Sequence, residues 1–131
     1  GNITGVSAYN KAAAVNVKLT GNLTQTANGD FRQLRDLCYQ MAKLDLSTAN
    51  CTNIPKNALH SRHNLKTLIL PNNLVNIGSQ AFFACDAMTG TLSIPRTVKS
   101  IGASAFSMCK SLQGITLPSN SQLVNLGSYA F

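Results

Sequence analysis

The chain has 131 residues, enough for one domain with a modest core and too few for two independent ones. Hydrophobic residues make up 44% and charged residues 11%, so the chain can bury enough apolar surface to fold. Four aspartates, no glutamate and eleven Lys and Arg leave a formal net charge of +7, and this scarcity of carboxylates argues against most enzyme classes. No stretch approaches the roughly 20 apolar residues of a membrane helix.

Residues 1–42 are predicted to form a lead and an N-terminal cap. Residues 1–14 show no period, and Gly1 is not followed by a basic and apolar leader, as after removal of a signal peptide or in a cut chain. The apolar positions 15, 17 and 19 alternate with polar residues and predict a first strand. Asp30 stands where a helix cap belongs, and the apolar positions 31, 34, 37, 38 and 41 have the spacing of one buried helix face. We expect this strand and helix to shield the apolar end of the first repeat.

From residue 43 onward the chain repeats itself. Residues 65–88 read LKTLILPNNLVNIGSQAFFACDAM, residues 89–112 read TGTLSIPRTVKSIGASAFSMCKSL, and residues 113–131 read QGITLPSNSQLVNLGSYAF, a copy that stops short. A weaker copy, KLDLSTANCTNIPKNALHSRHNL, occupies residues 43–65. A period of about 24 residues predicts a solenoid, because a single unit of this size cannot bury its own apolar face. Residues 43–131 are thus predicted to hold one degenerate, two full and one truncated repeat, forming one domain with the cap.

Each unit has the same internal order. A short strand such as Leu68–Leu70 alternates inward and outward residues, and a proline ends it. A second apolar pair, Leu74 and Ile77 in this copy, leads to a glycine in a turn where no β-carbon is expected to fit. An Ala-Phe pair and a cysteine then fill the interior in a short helical or irregular turn. The inward positions of the later copies are Leu92, Ile94, Val98, Ile101, Ile115, Leu117, Leu123 and Leu126.

The pattern L-x-x-L-x-L-P-x-x-L-x-x-I-G-x-x-A-F-x-x-C, carried by Leu65 to Cys85, Leu92 to Cys109 and Ile115 to Phe131, resembles the BspA-like leucine-rich repeat, also called the Treponema pallidum type. The resemblance implies an α/β leucine-rich-repeat solenoid, right-handed and curved, with a short parallel sheet on its concave side. It also implies a secreted or surface-anchored protein of Bacteroides-like bacteria that adheres to host matrix proteins or cells, and it assigns no catalytic residue. The chain departs from the pattern at Arg62, which replaces the cysteine of the first copy, and in the last copy, which lacks the cysteine and the closing leucine.

The four cysteines lack the C-x-x-C spacing of a metal site. Cys85 and Cys109 occupy the same repeat position, so we expect stacked neighbours that fill the core, with a disulfide between them as the alternative. A bridge from Cys38 in the cap to Cys51 in the first repeat is a further alternative.

Two other features of the sequence argue against binding of a metal or a nucleic acid. His60 and His63 have no evident third ligand, which favours a surface turn over a metal site. The basic residues are spread along the chain, and Phe82, Phe106 and Phe131 recur at the repeat period, which is typical of core residues and not of a base-stacking surface. We therefore expect no cofactor, no metal and no nucleic-acid partner; retention on polyanions that salt abolishes would argue otherwise.

If the chain binds a ligand, the outward strand positions are the candidates. They are Lys43, Thr67 and Thr91 in one row, which ends at Gly114, and Asp45, Ile69, Ser93 and Thr116 in the next. Small hydroxyl-bearing side chains on a rigid sheet suit hydrogen bonds to a peptide or glycan. The alternative is that these are only surface residues compatible with a strand.

The sequence predicts a non-catalytic recognition module of a secreted or cell-surface protein, which adheres to a host or cell-surface protein or glycan. The alternative is a structural or spacer segment of a larger surface protein with no ligand of its own. The unfinished last repeat is expected to expose apolar surface and an unpaired strand edge. A cut chain, end-to-end association of two copies, and a terminal residue that folds back as a plug are the three explanations left open.

Overall fold

The structure is a computed structural model that describes residues 15–26 and 29–131, so the lead predicted over residues 1–14 lies outside it. The described chain forms a parallel-strand solenoid of about five turns with little helix. Its strands are β1 (Asn16–Lys18), β2 (Gly21–Asn22), β3 (Lys43–Asp45), β4 (Ala49–Asn50), β5 (Asn53–Ile54), β6 (Thr67–Ile69), β7 (Asn76–Ile77), β8 (Gly90–Ser93), β9 (Ser100–Ile101), β10 (Leu112–Thr116) and β11 (Asn125–Leu126), and its helix is α1 (Asp30–Leu37).

The strands predicted from alternating residues form one side of each turn. β3 pairs in parallel with β1 and with β6, and β8 pairs in parallel with β10. Leu44 lies opposite Leu68, and Leu92 lies opposite Ile115, so equivalent residues of successive repeats stack. Leu44, Leu68 and Leu92 are buried while their strand neighbours face outward, which confirms the predicted alternation.

A second row of two-residue strands follows the first. β5, β7, β9 and β11 form a four-stranded parallel sheet, and β2 pairs with β4 beside it. The glycines that end β7 and β9 are required by close backbone contact. A β-carbon on Gly78 would lie 2.5 Å from Lys56 N, and one on Gly102 would lie 2.4 Å from Ser79 N. The prediction that no β-carbon fits here is confirmed, but the cause is the neighbouring repeat and not a positive φ.

The segment after each glycine is a regular run of turns, and not the helical or irregular turn that was predicted. Alternate N–H groups donate to the next repeat: Gln80 to Ala103 O (3.0 Å), Phe82 to Ala105 O (2.8 Å) and Ala84 to Ser107 O (2.9 Å). The N–H groups between them bond within their own repeat. The left-handed conformation recurs at two positions per repeat, at Asn57 and Ser61, Gln80 and Ala84, Ser104 and Met108, and again at Tyr129.

The core is one continuous column across the repeats. The rings of Phe82 and Phe106 stack with centroids 5.2 Å apart, and Phe131 continues the stack 5.6 Å from Phe106. Leu59 is buried at the equivalent place in the earlier repeat. The recurring phenylalanines are therefore core residues, as their period predicted.

Helix α1 covers the N-terminal end of this column. It buries Phe31 and Leu34, and it ends at Leu37, so Cys38 and Met41 pack against the core from the segment that follows. The prediction that Asp30 caps the helix is wrong, because Gly29 is the N-cap and no side chain caps this end. Asp30 is the first helical residue, and its carboxylate accepts a bond of 2.7 Å from Thr24 N–H.

The side chain of Arg62 explains why the first copy lacks its cysteine. In the later copies the Cys85 thiol donates to Leu59 O at 3.1 Å and the Cys109 thiol donates to Phe82 O at 3.2 Å. Arg62 Nη1 donates in the same direction, to Arg35 O at 2.6 Å. The preceding unit is a helix here, so a longer donor takes the place of the thiol.

The other end of the described chain exposes apolar side chains. The predicted inward residues Leu117 and Leu126 are 46% and 56% exposed, and Ile115 and Leu123 are only partly buried. The prediction of burial is wrong for Leu117 and Leu126, because no further repeat of the described chain packs against them. We call this surface the C-terminal face and define it by its exposed apolar residues, Leu117, Val124, Leu126, Tyr129 and Phe131.

Candidate functional site

The predicted ligand-facing residues lie on one surface, here called the sheet face and defined as the outward side of β1, β3, β6, β8 and β10. Lys43 lies opposite Thr67, and Asp45 lies opposite Ile69. Thr91 lies opposite Gly114, and Ser93 lies opposite Thr116. Six of the seven predicted residues are exposed and Asp45 is half-buried. Their role in binding stays a prediction.

Charge on the sheet face is concentrated at its N-terminal end. Lys18 Nζ lies 3.9 Å from Asp45 Oδ2, and Ser47 N–H donates to Asp45 Oδ1 at 2.9 Å. The hydrogen bonds from Ser47 lower the pKa of Asp45, and Lys18 and Lys43 lower it further. A shallow depression of about 210 Å³ runs over Lys18, Lys43 and Asp45. This end of the face therefore presents paired charges with an excess of lysine.

The middle of the sheet face is uncharged and holds a cleft between β6 and β8. The cleft has a volume of about 390 Å³, and four of the seven predicted residues line it: Thr67, Ile69, Thr91 and Ser93. Asn72, Pro95 and the edges of Leu68, Leu70 and Ile94 complete it. Sequence analysis missed Asn72 and Pro95, because both lie beyond the end of their strands. The structure thus brings hydroxyl and aliphatic groups together, while Lys43, Asp45 and Thr116 flank them.

The cysteines do not form a reactive site. All four are free, Cys38, Cys51 and Cys85 are buried and Cys109 is half-buried. Burial raises the pKa of Cys51 and of Cys109 to about 11, and that of Cys85 to about 12. A thiol with so high a pKa is a poor nucleophile at neutral pH. Cys51, Cys85 and Cys109 therefore act in the structure as core residues whose thiols donate to backbone carbonyls.

The two histidines lie apart from the sheet face. Burial, followed by the charges of Arg35 and Arg62, lowers the pKa of His60. His63 Nδ1 lies 2.9 Å from Asp86 Oδ1 in an exposed pair. Across residues 15–26 and 29–131 no three His, Cys, Asp or Glu side chains are grouped so as to hold a metal ion. The chemistry that the sheet face offers is hydrogen bonding and apolar contact in its middle, with paired charges at its N-terminal end.

A solved structure similar to this chain is the crystal structure of T. pallidum Leucine Rich Repeat protein (TpLRR), with a TM-score of 0.50 and 19% sequence identity over 72% of this chain. The chain spans 53% of that protein, and at this identity the likeness shows the fold alone. No curated protein matches the chain. None of the described helices is long and apolar enough to cross a membrane. The sequence matches the BspA type Leucine rich repeat region in six copies, over residues 3–91 and 88–131, so the chain belongs to the BspA-type leucine-rich-repeat family.

Proposed function

We propose that this chain is the recognition module of a secreted or cell-surface protein and that it adheres to a host or cell-surface protein or glycan through its sheet face. Leucine-rich repeats are in general protein-interaction modules and are generally not enzymes, which supports binding over catalysis. Proteins of the BspA type are generally secreted or at the cell surface, which supports the location.

The observation that carries this proposal is the alignment of outward side chains in register across paired strands. Thr67 stands beside Lys43, and Thr116 stands beside Ser93, on backbone that ladder bonds hold in place. A ligand that contacts such a surface does not have to order its backbone first, so little affinity is lost to backbone ordering. The hydroxyl groups supply donors and acceptors, and the lysines at one end favour a partner with acidic groups nearby.

The test is a binding screen against purified extracellular-matrix proteins and arrayed glycans. We expect at least one to bind, and Lys43→Glu with Thr116→Glu to weaken that binding. Lys110→Glu is the matched control, because Lys110 is exposed and lies outside the strands of the sheet face. If the control lowers affinity as much as the sheet-face variant, overall charge and not this face governs binding. If no protein or glycan in the screen binds, the result would favour a structural or spacer segment with no ligand of its own.

The proposed location has its own test. If the protein is at the cell surface, protease added to intact cells of its source will remove an epitope placed on this chain. An epitope that survives on intact cells and is lost only after lysis would contradict the proposal.

A second candidate function is association of two copies end to end, and the C-terminal face favours it. Val124 and Tyr129 are 79% and 82% exposed, and the outer edges of β10 and β11 have no partner strand within the described residues. Exposed apolar residues beside an open strand edge are typical of a pairing surface. Sedimentation at rising concentration should show a dimer that Val124→Lys abolishes and that Tyr39→Lys, a change at the opposite end, does not. A strict monomer at high concentration would refute this candidate.

A further inference from the structure

On one side of a junction in the sheet face β6 pairs regularly with β3, and on the other side β8 pairs with β10 with one register shift, between Leu112 and Gly114. At the junction itself the described strands β6 and β8 form no ladder. Leu46 N–H donates to Ile69 O at 2.9 Å across β3 and β6, and Ile94 N–H donates to Thr116 O at 3.0 Å across β8 and β10. Leu70 is the equivalent residue between β6 and β8, and in the described part of the chain its N–H has no backbone partner. Thr89 N–H still donates to Lys66 O at 3.2 Å, so the two strands meet at their beginning and separate toward their ends.

An inserted residue accounts for the separation. The buried Met88 and Leu92 are four positions apart, whereas the matching Leu65 and Leu68 are three apart. Gly90 takes up the extra residue with a φ of +73°, and a β-carbon on it would meet no atom within 4 Å. An extra residue in a left-handed conformation makes a bulge that bends its strand away from its neighbour. The cleft is therefore encoded in the sequence of this repeat.

The walls of this cleft match the main chain of a peptide. The amide of Leu70 and the carbonyl of Ser93 would bond each other in a regular ladder, and within residues 15–26 and 29–131 they do not form that bond. Thr67, Thr91 and Asn72 add polar side chains, and the edges of Leu68 and Leu70 form an apolar floor. No side chain that lines the cleft is ionisable or aromatic. A volume of about 390 Å³ is at the low end for ligand sites, and a three-residue strand such as β6 is about 10 Å long.

We infer that the cleft between β6 and β8 binds a short, extended and uncharged peptide segment of a partner protein. The main chain of the segment pairs with Leu70 N–H and Ser93 O, as an added strand does at an open sheet edge. A small or aliphatic side chain of the segment rests on Leu68 and Leu70. This inference rests on the proposed function and specifies the part of the sheet face that binds the partner protein.

The experiment uses a phage-displayed library of random linear peptides, selected on the immobilised full chain. Synthetic copies of the selected peptides are then titrated in solution by fluorescence anisotropy. Ser93→Trp fills the cleft, and deletion of Gly90 restores the regular spacing and closes it. Ser111→Trp is the matched control, because Ser111 is exposed and lies outside both the cleft and the strands of the sheet face.

We expect Ser93→Trp and the Gly90 deletion to weaken peptide binding about tenfold or more, and Ser111→Trp to change it by about twofold or less. Amide exchange gives a direct readout: Leu70 N–H should exchange faster than Leu46 and Ile94 in the free chain and become protected when peptide binds. Should the Gly90 deletion fail to fold, Ser93→Trp and the exchange of Leu70 decide the question.

Two results would overturn the inference and leave the proposed function standing. One is peptide binding that Lys43→Glu weakens and Ser93→Trp does not, together with an exchange rate of Leu70 N–H that does not change when peptide is added. The other is a selection that yields no binding peptide although the screen of matrix proteins yields a partner. If neither peptides nor matrix proteins and glycans bind, the inference and the proposed function fail together.

Discussion

Replacing Gly102 by alanine tests whether contact between repeats fixes the glycine after each short strand. The new β-carbon would lie 2.4 Å from Ser79 N and 2.7 Å from Gly78 C. β-Carbons essentially never approach other atoms within 3.0 Å, so the two backbones must separate by at least about 0.6 Å. Both partners are backbone, so a change of side-chain rotamer cannot relieve the clash.

The expected loss of stability follows from the packing and the hydrogen bonds that this separation disturbs. Overpacking a closely packed site costs about 1–3 kcal/mol. Gly102 N–H donates to Ile77 O at 2.8 Å and Gln80 N–H donates to Ala103 O at 3.0 Å, on either side of the contact. Each such bond contributes about 1 kcal/mol, and the shift weakens both. We expect Gly102→Ala to lower the free energy of unfolding by about 2–4 kcal/mol.

The assay is urea unfolding followed by circular dichroism, supported by thermal scans in which Tm should fall by about 6–16 °C. Gly114→Ala is the control, since a β-carbon there meets nothing within 4 Å and no positive φ is involved. It should leave stability unchanged or raise it by up to about 1 kcal/mol, because alanine restricts the unfolded chain. The reasoning is refuted if Gly102→Ala stays within about 0.5 kcal/mol of wild type, or if Gly114→Ala costs as much.

Three further predictions concern the core and its edges. Phe106→Ala should cost about 3–5 kcal/mol in urea unfolding, and Phe131→Ala clearly less because that residue is 51% exposed; equal losses would contradict the stacked column. Burial raises the pKa of Cys85 to about 12, so its contribution is complete below about pH 9 and falls by about 1.4 kcal/mol per pH unit above it. The cost of Cys85→Ala should therefore shrink between pH 8 and pH 10.5, and a cost independent of pH would rule out this cause. Asn73→Ala should cost about 1–3 kcal/mol in chemical denaturation because it removes the acceptor of Cys51 N–H (3.2 Å); Asn73→Asp should cost less, and the reverse order would count against this bond.

The two rows of strands were predictable because the sequence pattern that specifies each strand is local and recurs in every repeat. Alternation of Leu68, Ile69 and Leu70, copied at a fixed period, determines which residues face inward and which repeats pair. The same period identifies the core positions of the phenylalanines. The candidate residues on the sheet face followed from this register without knowledge of any contact.

Other features depend on contacts between units, which one repeat does not reveal. Gln80 and Ala84 adopt left-handed conformations although neither residue type favours them, since the bonds of their N–H groups to the next repeat hold them there. Arg62 was noted as a departure from the pattern, but its role required the position of helix α1 and the bond to Arg35 O. Asp30 was assigned to the cap because its residue type suits one, whereas the close approach of Gly29 to Thr24 determines the geometry.

The cleft is an intermediate case. The spacing of four residues from Met88 to Leu92 is visible in the sequence, and so is Gly90 within it. The proline interval that spans the insertion, Pro71 to Pro95, is 24 residues, whereas the next, Pro95 to Pro118, is 23, so the extra residue is present in the spacing but is not located by it. Comparison of the spacing between the closing residue of one repeat and the first strand residue of the next would have found it.

The run of turns that follows each glycine gives the solenoid a direction. At Gln80, Phe82 and Ala84 the N–H groups donate toward the next repeat, and the carbonyls of that repeat accept them. Every interface between these turns therefore has a side that donates N–H groups and a side that accepts them on carbonyl oxygens. Two copies that met through the same C-terminal face would set donors against donors along these turns. Contact between such copies must then come from the strand edges and apolar side chains, and the turns at that face match only a surface that offers carbonyl oxygens.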